Sequence, residues 1–306
     1  MSTIVCEGLT KRYGSVQALK GINLTVTGKG CVGFLGPNGA GKTTTIRILT
    51  GLAHPSGGRA TVDGMDVVRE RDRVRSRIGY LAQSPAFYNY MGGQEFLLFV
   101  GELFGMESRA ARLRSEELLK LLGLWDARRR AIGGYSGGMK QRLGLAQALM
   151  NKPSILFLDE PVSALDPVGR HEILELIEQL KAETTIFMSS HVLGDVERVA
   201  DQVVIINEGT VAVEASMQQL RAEYATPVYT VEVDNPSADF ADALKRLPYV
   251  SGVRREGALY RVTVKDLQAA RQNLARQVLD TGAVLLQFGT EAPTLEDIFL
   301  KVVGEP

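Results

Sequence analysis

Short apolar runs along the chain alternate with longer stretches in which apolar residues recur every three or four positions. The first pattern predicts strands and the second predicts helices. The predicted strands are 4–9, 22–26, 31–35, 78–82, 155–158, 185–189, 203–206 and 211–213. The predicted helices are 44–49, parts of 92–130, 136–150, 168–180 and 192–200. Strands that alternate with helices indicate an α/β layered fold with a largely parallel sheet.

A change in sequence character near residues 224–227 predicts a domain boundary, with domains at 1–222 and 223–306. The elements expected beyond it are a strand at 228–234, a helix at 237–247, strands at 250–255 and 258–264, a helix at 266–281, a strand at 283–289 and a last helix at 295–303. The order β-α-β-β-α-β is that of ferredoxin-like α+β domains. Because no His, Cys or paired-carboxylate cluster lies there, we interpret the segment as a regulatory or docking module. Alternatively, it extends the core of the first domain.

The amino-acid composition of the chain limits the classes of protein to which it can belong. The chain has 306 residues, 45% of them hydrophobic, which suits two domains with sizeable cores. Lys+Arg and Asp+Glu each count 35, and this balance argues against a nucleic-acid-binding protein. Cys6 and Cys31 show no metal or disulfide spacing and are expected to be reduced thiols. No apolar run approaches the about 20 residues of a membrane span, and no signal peptide is visible, so we expect a cytoplasmic chain.

A phosphate-binding loop follows the strand predicted at 31–35 and opens into the next helix. Its residues are Gly36, Pro37, Asn38, Gly39, Ala40, Gly41, Lys42 and Thr43. The glycines let backbone N–H groups point into one concavity, and the helix N-terminus adds partial positive charge. A nucleoside triphosphate needs both features, with Lys42 on its β- and γ-phosphates and Thr43 on Mg²⁺. The alternative is a glycine-rich turn without a ligand.

An acidic pair ends the apolar strand predicted at 155–158. Asp159 emerges where open α/β sheets bind ligands, and it is the candidate carboxylate for Mg²⁺ rather than a simple helix cap. Glu160 comes next, and adjacent strand residues point to opposite faces. The sequence therefore predicts that Asp159 faces the metal ion while Glu160 acts as the general base for the attacking water.

Residues 136–142 read Ser-Gly-Gly-Met-Lys-Gln-Arg at the start of a predicted helix. In order with the phosphate loop and the acidic pair, this segment resembles the L-S-G-G-Q signature of the ATP-binding subunits of ABC transporters. Tyr135 replaces the leucine and Met139 the glutamine, while Ser136, Gly137 and Gly138 are kept. The resemblance covers roughly 1–220 and implies that this core contacts the γ-phosphate, since a helix start with small residues admits an anion.

The resemblance implies roles for further residues. Tyr13 would stack on adenine, although an ordinary surface tyrosine is the alternative. Gln83 would sense Mg²⁺ and water, Asp166 would bridge to a partner subunit, and His191 would contact the γ-phosphate. Thr44 would complete the nucleotide site. His54 and His171 are interpreted as structural.

The resemblance also implies an architecture and a mechanism. The expected fold is a P-loop NTPase head with a RecA-like core, an antiparallel β subdomain and a helical subdomain at about 84–150. Two subunits, most simply a homodimer, would close head to tail over ATP and Mg²⁺. They would power export through a separate transmembrane permease from the cytoplasmic face of the membrane, as peripheral proteins. The segment 84–105 would receive a helix of that permease, or be ordinary helical core.

The last predicted helix indicates which branch of the family the chain resembles. Residues 294–300 resemble the tail of subunits that serve drug, antibiotic and polysaccharide exporters. The alternatives to an exporter ATPase are a soluble ABC-type ATPase that acts on the ribosome or nucleic acid, a non-hydrolysing binding module, and a GTP switch. The single head, the balanced charge and the intact acidic pair favour the exporter ATPase.

Overall fold

The first part of the chain alternates strands with helices. The structure, a computed structural model, describes residues 3–224, 228–291 and 294–304. In chain order its elements up to residue 223 are β1 (Thr3–Tyr13), β2 (Val16–Thr27), β3 (Gly30–Leu35), α1 (Lys42–Leu49), β4 (Gly57–Val62), β5 (Met65–Asp66), α2 (Arg71–Arg77), β6 (Ile78–Leu81), α3 (Gly93–Leu103), α4 (Ser108–Leu121), α5 (Gly137–Leu149), β7 (Ile155–Asp159), α6 (Pro167–Leu180), β8 (Thr185–Ser190), α7 (Leu193–Val199), β9 (Gln202–Asn207), β10 (Thr210–Ser216) and α8 (Met217–Glu223).

The main sheet has the strand order β10-β9-β3-β8-β7-β6, parallel except for the β9–β10 pair. Every residue of β7 and β8 is buried, as expected of strands covered on both faces. Phe187 packs against Phe34 and Phe157, with ring centroids 5.0 and 5.7 Å away. The carboxyl ends of β3, β7 and β8 meet at one edge, which is where the phosphate loop begins. The predicted parallel sheet is confirmed.

A second sheet, of order β2-β1-β4-β5, is antiparallel. β1 and β2 run well beyond the predicted 4–9 and 22–26, because their outer ends form a hairpin with exposed, partly polar positions that carry no apolar signal. Asp63 and Gly64 form the tight turn between β4 and β5 with φ of 50° and 75°. The sequence pattern missed α2, because Val74 is its one buried apolar residue and no stripe results.

Three helices, α3, α4 and α5, form the helical segment of the first part. α3 packs closely on α4, where a Cβ at Gly101 would lie 2.9 Å from the Ala111 Cβ. α5 begins after Ser136, whose side chain accepts a hydrogen bond from the Met139 N–H and so caps the helix. Among the helices of the described ranges, none combines the length and apolar character that a bilayer crossing requires.

Four strands and two helices among the described residues after 227 form a small α+β unit, and a last helix follows them. They are β11 (Val228–Asp234), α9 (Phe240–Lys245), β12 (Val250–Glu256), β13 (Leu259–Val264), α10 (Leu267–Asp280), β14 (Val284–Glu291) and α11 (Leu295–Val303). The strand order β12-β13-β11-β14 is that of a ferredoxin-like sheet, and the predicted element order is confirmed. Its core includes Tyr229, Phe240, Tyr260 and Leu274. α9 is shorter than the predicted 237–247.

Two compact units divide the chain, Met1–Met217 with Phe299–Pro306, and Gln218–Ile298. Residues 225–227, where the sequence changes character, lie outside the described residues. The domain limits 1–222 and 223–306 stay a prediction.

Candidate functional site

The phosphate loop connects β3 to α1, and its backbone is packed against neighbouring strands. A Cβ at Gly36 would lie 2.2 Å from the carbonyl oxygen of Ile206, so a larger residue would displace the loop. Gly41 has φ of 113°, and a Cβ there would lie 2.6 Å from Leu19 Cδ2. Glycine is therefore needed at both positions for the chain to turn directly into the N-terminus of α1. The resulting concavity suits an anion.

Lys42 places its ammonium group beside this loop. Its side chain is largely buried, and Nζ donates hydrogen bonds to the carbonyl oxygens of Gly36 at 2.7 Å and Pro37 at 3.2 Å. Burial lowers the pKa of Lys42, and the nearby carboxylates of Glu160 and Asp159 oppose that shift. The Lys42 ammonium group is therefore a cation held by two carbonyl oxygens. A phosphate group that binds in the loop can replace these oxygens as its hydrogen-bond acceptor.

Asp159 ends β7 and is 1% exposed. Its Oδ1 accepts hydrogen bonds from the Ser189 hydroxyl at 2.6 Å and the Thr43 hydroxyl at 3.3 Å. Its Oδ2 is buried and has no hydrogen-bond partner within the described residues. A hydroxyl and an orphaned carboxylate oxygen at the mouth of a phosphate loop are the hard oxygen ligands that Mg²⁺ prefers, so these residues fit a magnesium ion. The structure thus places the Thr43 hydroxyl next to the Asp159 carboxylate, and their role as ligands of Mg²⁺ stays a prediction.

Glu160 follows and points its carboxylate at His191. Oε2 lies 2.7 Å from His191 Nδ1, the glutamate side chain is 8% exposed, and the histidine side chain is 53% exposed. The Glu160 N–H donates to the carbonyl and to the hydroxyl of Ser189, both at 3.2 Å. A shielded carboxylate beside an accessible imidazole can accept a proton from a water molecule and share it.

The other predicted residues lie at several places. Tyr13 ends β1 with Lys11 Nζ 4.7 Å from its ring centroid, and Gln83 lies exposed two residues beyond β6. Asp166 caps α6 by accepting from the Gly169 N–H at 3.1 Å. Asn38 and Gly39 are exposed, Pro37 and Thr44 half-buried, and Ala40 buried.

The signature core packs against the loop that follows the acidic pair. The group nearest to a Cβ at Gly138 is Leu165 Cδ2, at 3.2 Å, and the group nearest to a Cβ at Gly137 is the carbonyl of Ala164. No contact between 136–138 and the phosphate loop is found among these neighbours. The structure therefore brings Thr43, Asp159, Glu160 and His191 into one site, while the nearest groups outside the signature core at Gly137 and Gly138 belong to residues 164–165.

Two residues of the site were missed by sequence reasoning. Ser189 holds both members of the acidic pair, as described above. Gln141, in α5 and 2% exposed, donates from Nε2 to the carbonyl oxygens of Pro161 at 3.0 Å and Glu160 at 3.4 Å. Ser189 was visible as a polar residue in an otherwise apolar, buried strand, which is the signal that could have identified it. Gln141 lies between Lys140 and Arg142, so its sequence neighbours carry no such signal.

Comparison with known proteins places these features in two families. A family model described as "ABC transporter" matches residues 19–163. A second model, described as "ATP-binding protein DrrA1-3-like, C-terminal domain", matches residues 216–303.

Relatives match the chain over nearly its whole length. An uncharacterized ABC transporter ATP-binding protein, YxlF of Bacillus subtilis, is 42% identical over 97% of this chain and 98% of its own. The daunorubicin resistance ATP-binding protein DrrA3 of Streptomyces coeruleorubidus is 36% identical over 99% and 96%. The bacitracin transport ATP-binding protein BcrA of Bacillus licheniformis is 34% identical over 99% and 98%.

Solved structures match the first part of the fold. An ATP-binding subunit of an ABC transporter aligns with a TM-score of 0.68 and 27% identity, over 72% of this chain and 93% of its own. The dimeric, post-hydrolysis state of the cassette MJ0796 bound to ADP and Pi aligns with a TM-score of 0.65 and 25% identity, over 70% and 98%. The predicted P-loop NTPase fold is confirmed.

Proposed function

The chain belongs to the ATP-binding subunits of ABC transporters, and we propose that Lys42, Thr43, Asp159, Glu160 and His191 are the residues with which it hydrolyses ATP. It is an ATPase that takes ATP with Mg²⁺ and powers export together with a separate transmembrane subunit. The observation that carries the residue assignment is the 2.7 Å contact of Glu160 with His191, one residue beyond a buried carboxylate with an unpartnered oxygen.

Each residue has a role that follows from its position. The backbone amides of 36–43 and the ammonium of Lys42 bind the phosphate groups. Thr43 and Asp159 would hold Mg²⁺, with Gln83 as a further ligand, and the ion would neutralise charge on the phosphates. Glu160 Oε2 accepts the proton of the attacking water, and the imidazole of His191 orients that carboxylate and faces the γ-phosphate. Tyr13 would stack on adenine, and Thr44 would contact a phosphate.

We infer that two copies of the chain close head to tail. The packing of 136–138 against 164–165, away from its own phosphate loop, supports a signature core that serves the partner's nucleotide. The dimeric cassettes to which the chain is similar support the same arrangement. Asp166, at the tip of the adjoining loop, would then bridge the two copies.

We further propose that a transmembrane permease docks on the helical segment, which would place the chain on the cytoplasmic face of the membrane as a peripheral protein. A cavity of about 500 Å³ lies between α3 and α4, lined by Met91, Glu95, Phe99, Glu102 and Arg112 among others. Relatives named for daunorubicin resistance and bacitracin transport suggest a drug- or antibiotic-like cargo. Residues 223–306 would act as a docking or regulatory module.

The variant Glu160→Gln tests the assignment of the base. We expect hydrolysis to fall to background, because the amide cannot accept a proton, while ATP binding persists and an ATP-dependent dimer accumulates in size-exclusion chromatography with light scattering. Glu175→Gln, on the outer face of α6, is the matched control. Normal turnover by Glu160→Gln would refute the role of Glu160. Copurification with ribosomes rather than with a membrane protein would favour the soluble alternative.

A further inference from the structure

The backbone of the proposed general base is strained. Glu160 has φ of 53°, in the left-handed region that non-glycine residues rarely adopt. It also precedes Pro161, and a residue before proline favours extended backbone. Such strain persists only where neighbouring groups hold it in place, and it is common at catalytic positions.

Three residues hold this strained peptide by hydrogen bonds. Ser189, in β8, accepts hydrogen bonds from the Glu160 N–H with both its hydroxyl and its carbonyl oxygen. Ser163 donates to the Glu160 carbonyl from its N–H at 3.3 Å and its hydroxyl at 3.1 Å. Gln141 donates from Nε2 to that carbonyl at 3.4 Å and to the Pro161 carbonyl at 3.0 Å. Gln141 lies in α5, whereas Ser189 lies in β8 and Ser163 in the loop after β7.

We propose that Gln141 is a positioning residue for Glu160, an inference that rests on the proposed function of Glu160. Its amide bonds two consecutive carbonyl oxygens across the strained peptide and thereby fixes the direction in which the carboxylate leaves the chain. Because Gln141 is 2% exposed, water cannot take over these hydrogen bonds when the amide is removed. Without the Gln141 amide, the carboxylate of Glu160 would still be able to accept a proton, but it would no longer be held in the direction of the attacking water.

The position of Gln141 gives this contact a second consequence. It lies one helical turn after the 136–138 core, and Arg142 beside it bonds Glu172 of α6 at 2.7 Å. The same helix therefore carries the signature core and the amide that holds the Glu160–Pro161 peptide.

The test compares Gln141→Met with Gln147→Met in the full-length chain. Methionine keeps the length and helix propensity of glutamine and removes the donor, and Gln147 is a half-buried residue of the same helix. For Gln141→Met we expect kcat to fall about 10-fold or more, with KM and the Kd of a fluorescent ADP analogue within about twofold of wild type. Without nucleotide, a peptide covering 157–165 should exchange its amide hydrogens faster than in Gln147→Met.

A second variant, Gln141→Leu, protects the test from a defect specific to methionine, because leucine is an apolar side chain of similar size that also lacks the amide donors. Turnover and exchange within about twofold of Gln147→Met in both variants would overturn the proposal. So would a loss of kcat that is matched by a rise in KM and a fall in Tm, since that pattern indicates a merely structural role. Failure of the wild type and Gln147→Met to hydrolyse ATP would instead refute the proposed function.

Discussion

Removal of Arg170 should destabilise the protein more than removal of its partner, Asp195. Asp195 of α7 is 3% exposed, and its Oδ1 accepts from both Nε and Nη2 of Arg170 at 2.7 Å. Its Oδ2 is buried without a hydrogen-bond partner among the described residues. The pair joins the start of α6, capped by Asp166, to the helix that follows His191.

The loss in free energy of unfolding depends on which of the two charged side chains remains after the substitution. Breaking a fully buried ion pair by removing one partner costs about 3–5 kcal/mol. The Arg170 side chain is 37% exposed, so water enters the space it leaves, and we expect Arg170→Ala to cost about 2 kcal/mol. Asp195→Ala removes the buried charge itself and leaves an arginine that water can solvate, so about 1 kcal/mol or less is expected.

Urea unfolding and thermal denaturation measure this asymmetry. For a unit of about 200 residues, 2 kcal/mol corresponds to a fall in Tm of about 4–8 °C. Arg198→Ala is the control, because Arg198 joins the same two helices through His171 and Glu175, whose side chains are more than half exposed, and it should cost under about 1 kcal/mol.

The double variant Arg170→Ala/Asp195→Ala completes the test. It should be more stable than Arg170→Ala alone, because the unpaired buried charge is then absent. The reasoning would be refuted if Arg170→Ala cost no more than Arg198→Ala, or if the two single losses simply added.

Three further predictions concern the loop and the core. Lys42→Ala should weaken nucleotide binding at least about 10-fold by fluorescence titration, and unchanged affinity would contradict the phosphate-loop assignment. Gly36→Ala should lower the free energy of unfolding by about 1–3 kcal/mol and impair nucleotide binding, because its Cβ meets the Ile206 carbonyl; a stable, fully binding variant would contradict this. Burial raises the pKa of Cys6 from 9.0 to about 12, so the thiolate forms first in the unfolded chain and the free energy of unfolding falls as the pH rises above 9.0. Cys6→Ala should flatten that decline in urea titrations, and an unchanged slope would count against it.

The sequence by itself determined those elements whose conformation depends only on residues close together in the chain. The apolar run before Asp159 predicted a buried central strand, because a strand covered on both faces has no polar positions to alternate with. The Asp63-Gly64 pair accounts locally for the turn between β4 and β5, since both residues tolerate positive φ. Ser136 predicted the start of α5, and the order of six elements after residue 228 predicted the ferredoxin-like unit.

The tertiary structure decided what depends on which segments meet. Sheet order places β8 beside β7 and so brings Ser189 onto Asp159, 30 positions earlier in the chain. The packing of α5 against β6, the neighbour of β7, brings Gln141 onto the Glu160–Pro161 peptide, which helps to hold Glu160 in a backbone conformation that no local preference favours. Periodicity along a chain reports which face of an element is buried, but it carries no information about which distant polar group that face will meet. Hydrogen bonds between segments remote in sequence therefore emerge only when the strands and helices are assembled.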